Sequence, residues 1–260
     1  MAKYSTRAAT ALSIDAPLIC APMGRWAEAT LAAAVSEAGG LGTFGAWPHM
    51  GLSTSEVRQM VSRIREQTSR PFGAGFIGHR LDEHSDHLNV ALEEAVPVIL
   101  LSFGDASSWI PRIHDGGAKV VCQVQTFELA KRAVDAGTDV LCLQGNAAGG
   151  HTGTQNLLPF LIQAVEAFPD TPIVASGGIS CGRSLASILA AGAEGAWIGT
   201  AFVACKEAAF TSQEFRQSII ESDGRDTVYS AAVDLVRNHG TGRPPWPDGI
   251  ALRHRRNEIT

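Results

Sequence analysis

At 260 residues, of which 45% are hydrophobic and 18% charged, the chain has about the length of one eight-unit β/α barrel and enough apolar side chain to bury a substantial core, so one domain over residues 1–260 is expected. Its formal net charge of −5 and scattered Lys and Arg offer no basic stripe for nucleic acid, which leaves a small-molecule partner. The five cysteines include no Cys-x-x-Cys pair, no apolar run reaches the ~18 residues of a membrane span, and Met1 to Asp15 lacks the apolar core of a signal peptide, so reduced thiols and a cytoplasmic location are expected.

Short apolar runs alternate with segments of helical periodicity, the pattern of parallel strands joined by crossover helices. In chain order the predicted strands are Pro17 to Met23, Leu41 to Trp47, Pro71 to Ile77, Val96 to Phe103, Lys119 to Gln125, Val140 to Gln144, Pro172 to Ser176 and Gly195 to Gly199. Most are continuously apolar, as strands covered on both faces should be. Between the first two, Leu31, Ala34, Val35 and Ala38 form a helical stripe. Ser53, followed three residues later by Glu56, reads as a capping box ahead of Val57, Met60, Val61 and Ile64. The dipeptides Ala38-Gly39, Ala136-Gly137 and Ala191-Gly192 repeat one helix-to-strand joint, glycine supplying the left-handed conformation that ends a helix. Beyond the eighth strand, Thr211 to Ser222 reads as a helix with Phe215, Ile219 and Ile220 facing inward. The Arg243-Pro244-Pro245-Trp246-Pro247 run after it cannot be helical and is expected to wrap the barrel surface. The fold class is therefore α/β, a (β/α)8 TIM barrel with a short C-terminal helical and Pro-rich tail.

In such barrels the chemistry lies at the C-terminal ends of the strands, with phosphate commonly bound after strands seven and eight. Strand seven runs into Ser176-Gly177-Gly178-Ile179-Ser180-Cys181-Gly182, with a helix starting near Gly182 and Arg183, and strand eight ends in Trp197-Ile198-Gly199-Thr200. Side-chain-free backbone N–H groups and a helix N-terminus make a phosphate clamp there; the other reading is that these glycines only turn the chain tightly. Strand six ends in Gln144-Gly145-Asn146-Ala147-Ala148-Gly149-Gly150-His151-Thr152-Gly153. A rim histidine, with its ordinary pKa of about 6.5, suits proton abstraction, and position alone equally allows a loop-capping role. His79, His84 and His87 with Asp82, Glu83 and Asp86 match no closed zinc spacing and read as a solvated loop, so no metal is expected. Cys181 has no neighbouring base and reads as a small loop residue, while Cys20, Cys122 and Cys142 fall inside strands as core.

Taken together, Ala21-Pro22-Met23-Gly24, Ala38-Gly39-Gly40-Leu41-Gly42-Thr43, Gln144-Gly145 through Ala148-Gly149-Gly150-His151, and Ser176-Gly177-Gly178-Ile179 followed by Gly199-Thr200 resemble the nitronate monooxygenase, or 2-nitropropane dioxygenase-like, flavoproteins. The resemblance runs in order from about Pro17 to Lys206, with a weaker echo in the Pro-Trp-Pro tail. It implies an FMN whose phosphate lies in the loops after strands seven and eight, contacted by Gly178, Trp197, Ile198, Gly199 and Thr200, with Ser176 and Gly177 close by. By the same resemblance Gln144, Gly149 and Gly150 contact the flavin, Pro22 and Met23 lie along its ring, and His151 is the general base. The implied reaction is oxidation of a nitronate or nitroalkane-like small carbon acid by dioxygen. Departures from the pattern are Gly75, where Asn is frequent, Ala147, where Glu is frequent, and Trp26 and Trp47 at rim positions usually held by smaller residues. The residues also leave open an FMN-dependent NAD(P)H enoyl-thioester reductase, a metal-free phosphate-binding barrel lyase or isomerase, and a flavin binder without turnover.

Overall fold

The eight predicted strands form one parallel sheet closed on itself. They are β1 (Leu18–Cys20), β2 (Gly42–Gly45), β3 (Phe72–Ile77), β4 (Val98–Ser102), β5 (Lys119–Val124), β6 (Val140–Gln144), β8 (Ile173–Ser176) and β9 (Ala196–Ile198). A further strand, β7 (Gly150–Thr152), lies between β6 and β8 in the chain but belongs to a second sheet. The structure is a computed structural model and describes residues 5–47, 52–239 and 245–256. Around the barrel the order is β1-β9-β8-β6-β5-β4-β3-β2. An Ile19–Leu41 bridge returns β2 to β1, held by Leu41 N–H to Leu18 O and Cys20 N–H to Leu41 O, each 2.9 Å.

Strand alternation sorts the side chains into two layers. Ile19, Leu41, Val98, Leu100, Val121, Val140, Cys142, Val174 and Trp197 fill the interior, and Ala8 and Leu12, in and just after α1 (Arg7–Ala11), pack against them from the N-terminal end. Their neighbours of opposite parity, among them Phe44, Phe76, Ile99, Leu101, Leu141, Leu143 and Ile173, face the helical shell. That shell comprises α2 (Ala29–Glu37), α3 (Thr54–Arg65), α4 (Ser85–Glu93), α5 (Ile110–Asp115), α6 (Phe127–Asp135), α7 (Leu157–Ala167), α8 (Gly182–Ala190) and α9 (Thr200–Val203). Further along the strands the interior parity carries Thr43, Ser102, Gln123, Gln144 and Ser176, with Gln125 just past β5, all buried. The barrel is thus apolar at its floor and polar toward its C-terminal mouth.

Local chemistry explains the boundaries. Ser53 and Glu56 make the reciprocal capping box at the start of α3. The joint glycines Gly39, Gly137 and Gly192 have φ of 95°, 89° and 99°, the left-handed value that glycine adopts without steric cost. At Gly42 a Cβ would lie 1.7 Å from the Ala32 carbonyl oxygen, so α2 lies directly on β2.

Two expectations for the C-terminal part are corrected. In α10 (Gln213–Glu221) Phe215 and Ile220 are 40% and 62% exposed, so the helix buries no apolar face of the predicted kind. The tail does not simply wrap the outside. It contains β10 (Thr227–Ser230), α11 (Ala232–Asn238) and β11 (Ala251–Arg255), and β10-β11-β7 form a three-stranded sheet with antiparallel pairing. Pro245, Trp246 and Pro247 are non-helical as expected, while Arg243 and Pro244 lie outside the described residues. Among the described residues no helix is long and apolar enough to cross a membrane.

Candidate active site

The polar mouth is organised by amides. Gln125 Nε2 donates to Gln144 Oε1 at 3.0 Å, and Gln144 Nε2 donates to the His151 carbonyl at 3.1 Å. Thr152 Oγ1 donates to the Gly145 carbonyl at 3.0 Å. β6 is thereby tied to β7, and Gln144 acts as the link between them. Gln125 Oε1 is buried without a hydrogen-bond partner among the described residues. A buried acceptor of this kind is costly unless a donor reaches it, so the amide pair has capacity for one more group.

The loops after β6, β8 and β9 converge beside these amides. A Cβ on Gly149 would lie 2.5 Å from Thr200 Oγ1, one on Gly178 3.3 Å from Ala147 Cβ, and one on Gly177 2.8 Å from the Gly145 carbonyl. Gly177 and Gly178 have φ of 109° and 71°, so both backbone shape and space require glycine there. Gly199 differs: its φ is −108°, and a Cβ would make ordinary contacts of 3.5 Å and 3.6 Å with Met23 Sδ and Ala21 Cβ. Gly149, Gly150, Gly178 and Thr200 are exposed at the mouth.

The N-terminus of α8 is already partly occupied. Cys181 is its N-cap, and Ser184 Oγ accepts the N–H groups of both Ser180 and Cys181 at 3.1 Å. The backbone N–H groups of Ser184 and Arg183 are in turn directed at the Cys181 sulfur, and with the Ser184 side chain they hold the thiol below its ordinary range. Four N–H groups of this helix start, those of Ser180, Cys181, Arg183 and Ser184, are thereby engaged within the chain. The Gly177–Gly178 and Gly199–Thr200 turns adjoin this helix start.

His151 occupies β7, a short strand that begins at Gly150 at the rim. β11 pairs with it, Leu252 standing opposite His151. The His151 side chain is 17% exposed, and its Nε2 lies 2.9 Å and 3.0 Å from the two carboxylate oxygens of Asp234 on α11. Trp246 stacks on the imidazole with ring centroids 3.8 Å apart and planes 21° from parallel. Phe103 meets both rings edge-on, at 6.4 Å from His151 and 5.1 Å from Trp246, and His79 lies 5.3 Å from Trp246. Phe103 has φ of 67°, an unfavourable value for an aromatic residue, and the strained end of β4 is what presents its ring to this cluster. Burial, together with the neighbouring Arg80 charge, holds His79 below the usual imidazole range.

The remaining predicted positions divide. Pro22 and Met23 lie at the mouth, and Pro22 explains one departure. A Cβ on Gly75 would fall 2.3 Å from Pro22 Cγ, so the proline ring occupies the space an asparagine would need. Ser176 is buried in the polar layer, whereas the Trp197 side chain belongs to the apolar interior cluster and Ile198 turns outward onto the helical shell. Any cofactor contact from this pair would therefore come from their main chain. Trp26 stacks on Phe215 at 5.9 Å, and Trp47 packs over Gly45. The acidic and histidine run after β3 makes local contacts: Asp82 accepts from Trp109 Nε1, His87 Nε2 lies 2.8 Å from the Leu52 carbonyl, and His84 neighbours Glu83. Asp234 and Trp246 are the site residues that reading the sequence missed. The Pro-Trp-Pro run was a visible signal for the second, but nothing local marks Asp234 among the chain's other carboxylates.

Comparison with known proteins agrees with this geometry. A probable nitronate monooxygenase of Staphylococcus saprophyticus is 27% identical over an alignment covering 98% of this chain and 82% of that protein. FabK from Thermotoga maritima superimposes with a TM-score of 0.84 at 30% identity, covering 98% of this chain and 75% of that one. A nitroalkane oxidase from Streptomyces ansochromogenes gives a TM-score of 0.79 at 30% identity, covering 96% and 80% respectively. A family model described as nitronate monooxygenase matches residues 5–238, the whole barrel together with α10, β10 and α11, and the chain belongs to the nitronate monooxygenase family of oxidoreductases.

Proposed function

We propose that this protein uses FMN and dioxygen to oxidise a nitronate or nitroalkane-like small carbon acid, with His151 as general base. The observation that carries the reading is the meeting, at one end of the barrel, of three glycine turns with a histidine held on a strand. Gly177, Gly178, Gly199 and Thr200 would hold the phosphate through main-chain N–H groups, and the close approach at Gly149 keeps the neighbouring wall free of side chain. Gln144 and the partnerless Gln125 Oε1 suit a polar ring edge, and Pro22 and Met23 flank the same mouth. These residues fit the cofactor. When bound, FMN supplies the redox chemistry, taking an electron pair from the substrate and passing it to dioxygen.

The side chains of this chain supply the rest. His151 takes the α-proton of a neutral nitroalkane, whereas a preformed nitronate needs only stabilisation of its charge. Trp246 and Phe103 cover the imidazole and exclude water around it, which favours a small substrate.

The test begins with the purified protein, whose visible spectrum should be that of a flavin and whose denaturation should release FMN. A colourless protein that takes up no FMN points to the lyase or isomerase reading. Anaerobic nitronate should bleach the flavin; rapid bleaching by NADH or NADPH instead would favour the reductase. His151→Asn should keep its FMN and lose about 10²- to 10⁴-fold activity on the neutral nitroalkane, with a much smaller loss on the nitronate. Equal losses on both forms would reject the assignment of His151 as base.

A further inference from the structure

We infer that the C-terminal segment completes the proton-transfer site: Asp234 is a positioning residue that holds His151 through Nε2, and Trp246 is the plate against which the imidazole is fixed. The inference rests on the reading of His151 as the base and goes beyond it by assigning what makes that base effective.

The geometry is specific. Both Asp234 oxygens lie within 3.0 Å of Nε2, and the two side chains are only 17% and 15% exposed, so this is not a solvated surface pair. A carboxylate can only accept, so the hydrogen sits on Nε2 and the ring's basic nitrogen is Nδ1. A proton taken from substrate turns the ring into a cation that already faces a carboxylate. It also lies flat on an indole, the aromatic face that attracts cations most strongly. Trp246 is itself wedged between Phe103 and His79, which limits its freedom to leave.

The parts come from distant stretches of chain, so the arrangement is not a by-product of local sequence. β7 carries His151, α11 carries Asp234, and β11 holds the two near each other by pairing with β7. The Tyr229 hydroxyl on β10 points at the carbonyls of Thr152 and Gly249, at 3.2 Å and 2.9 Å, and Arg253 Nε donates to the Asn146 carbonyl at 2.7 Å. These contacts fix the segment bearing Trp246 to the rim. Among the described residues, the titratable groups set against the ring include Asp234 on α11 and His79 after β3, which senses a charge on His151. Of these two, Asp234 favours a cation on His151 and His79 opposes it.

The experiment uses the full chain with 15N-labelled histidine, the His151 resonances being identified by their absence in His151→Asn. In Asp234→Asn the His151 titration midpoint should move to lower pH by about one unit or more, as expected for loss of an opposite charge at hydrogen-bond distance. In the FMN-loaded enzyme the same variant should lose about 10-fold or more in kcat on the neutral nitroalkane, with KM and flavin content little changed and a smaller loss on the nitronate. Asp234→Glu should restore most of the titration shift, and Trp246→Leu should move the midpoint in the same direction by less. An unchanged midpoint in Asp234→Asn, or equal kinetic losses on both substrate forms accompanied only by a lower Tm, would overturn the inference and leave the pair as a staple. If the wild type oxidises neither form yet the midpoint still moves, the substrate reading fails and the positioning role stands.

Discussion

Cys181 shows how a single side chain alters the reading of a motif. Its sulfur caps α8, and the Ser184 and Arg183 N–H groups directed at it keep the thiol more acidic than an ordinary cysteine. The other cysteines move the opposite way. Burial pushes the Cys122 thiol up to about 12 and raises Cys20 and Cys142 as well, and the half-buried Cys205 is also raised. Alkylation of the native protein at about pH 7 should therefore modify Cys181 first, with a rate that levels off at lower pH than that of a free thiol, and should reach Cys20, Cys122 and Cys142 only on unfolding. Peptide mapping by mass spectrometry checks this, and equal labelling of Cys205 and Cys181 would show that the cap does not activate the thiol. The mouth position of His151 was legible from sequence because it follows the Gly149-Gly150 pair just beyond strand six. Asp234 was not, because a carboxylate gains meaning only from the partner that folding brings to it.

At the scale of elements, every barrel strand lies within the apolar run that predicted it, since a strand buried on both faces leaves a continuous signal. β7 and β11 gave no such signal. Gly150-His151-Thr152 and Ala251 to Arg255 are mixed in polarity, and their pairing partner is about 100 residues away, so no local period encodes them. Between elements, Asp139 ties β5 to β6: its carboxylate accepts from the Val120 N–H at 2.8 Å and from Lys119 Nζ at 2.9 Å, with His114 Nε2 at 2.8 Å. Burial alone would raise its pKa, but the Lys119, Val120 and His114 hydrogen bonds outweigh that and hold it below the ordinary carboxylate value. A folded-state value below the unfolded one contributes stability above about pH 4, and that contribution is lost as pH falls through the folded value. Asp139→Asn should therefore cost about 1–3 kcal/mol at neutral pH and make the acid-side decline in stability shallower. Urea midpoints at neutral and acid pH measure both effects; parallel curves for variant and wild type would rule out the linkage.

Across the whole molecule, the proposed function would divide the labour, the barrel holding the ligand and the small β10-β11-β7 sheet doing the proton chemistry. The barrel has its own interior core and helical shell, and among the described residues β11 pairs only with β10 and β7. Leu252→Pro removes a backbone donor from the middle strand of that sheet, opposite His151. The variant should retain barrel circular dichroism and flavin content, show faster amide exchange in residues 150–152, and lose activity on the neutral nitroalkane. Loss of flavin along with activity would mean that the two functions are not separable. The same arrangement imposes an order on biosynthesis. A ribosome that has delivered Ile198 has supplied every strand of the barrel, but the partner of the histidine strand is missing until Arg255 has cleared the exit tunnel. At roughly 5–20 residues per second, the nascent barrel has seconds in which to close before His151 can be clamped. On the proposed function, a translation product halted in that interval would take up FMN while His151 still lacked its Asp234 partner.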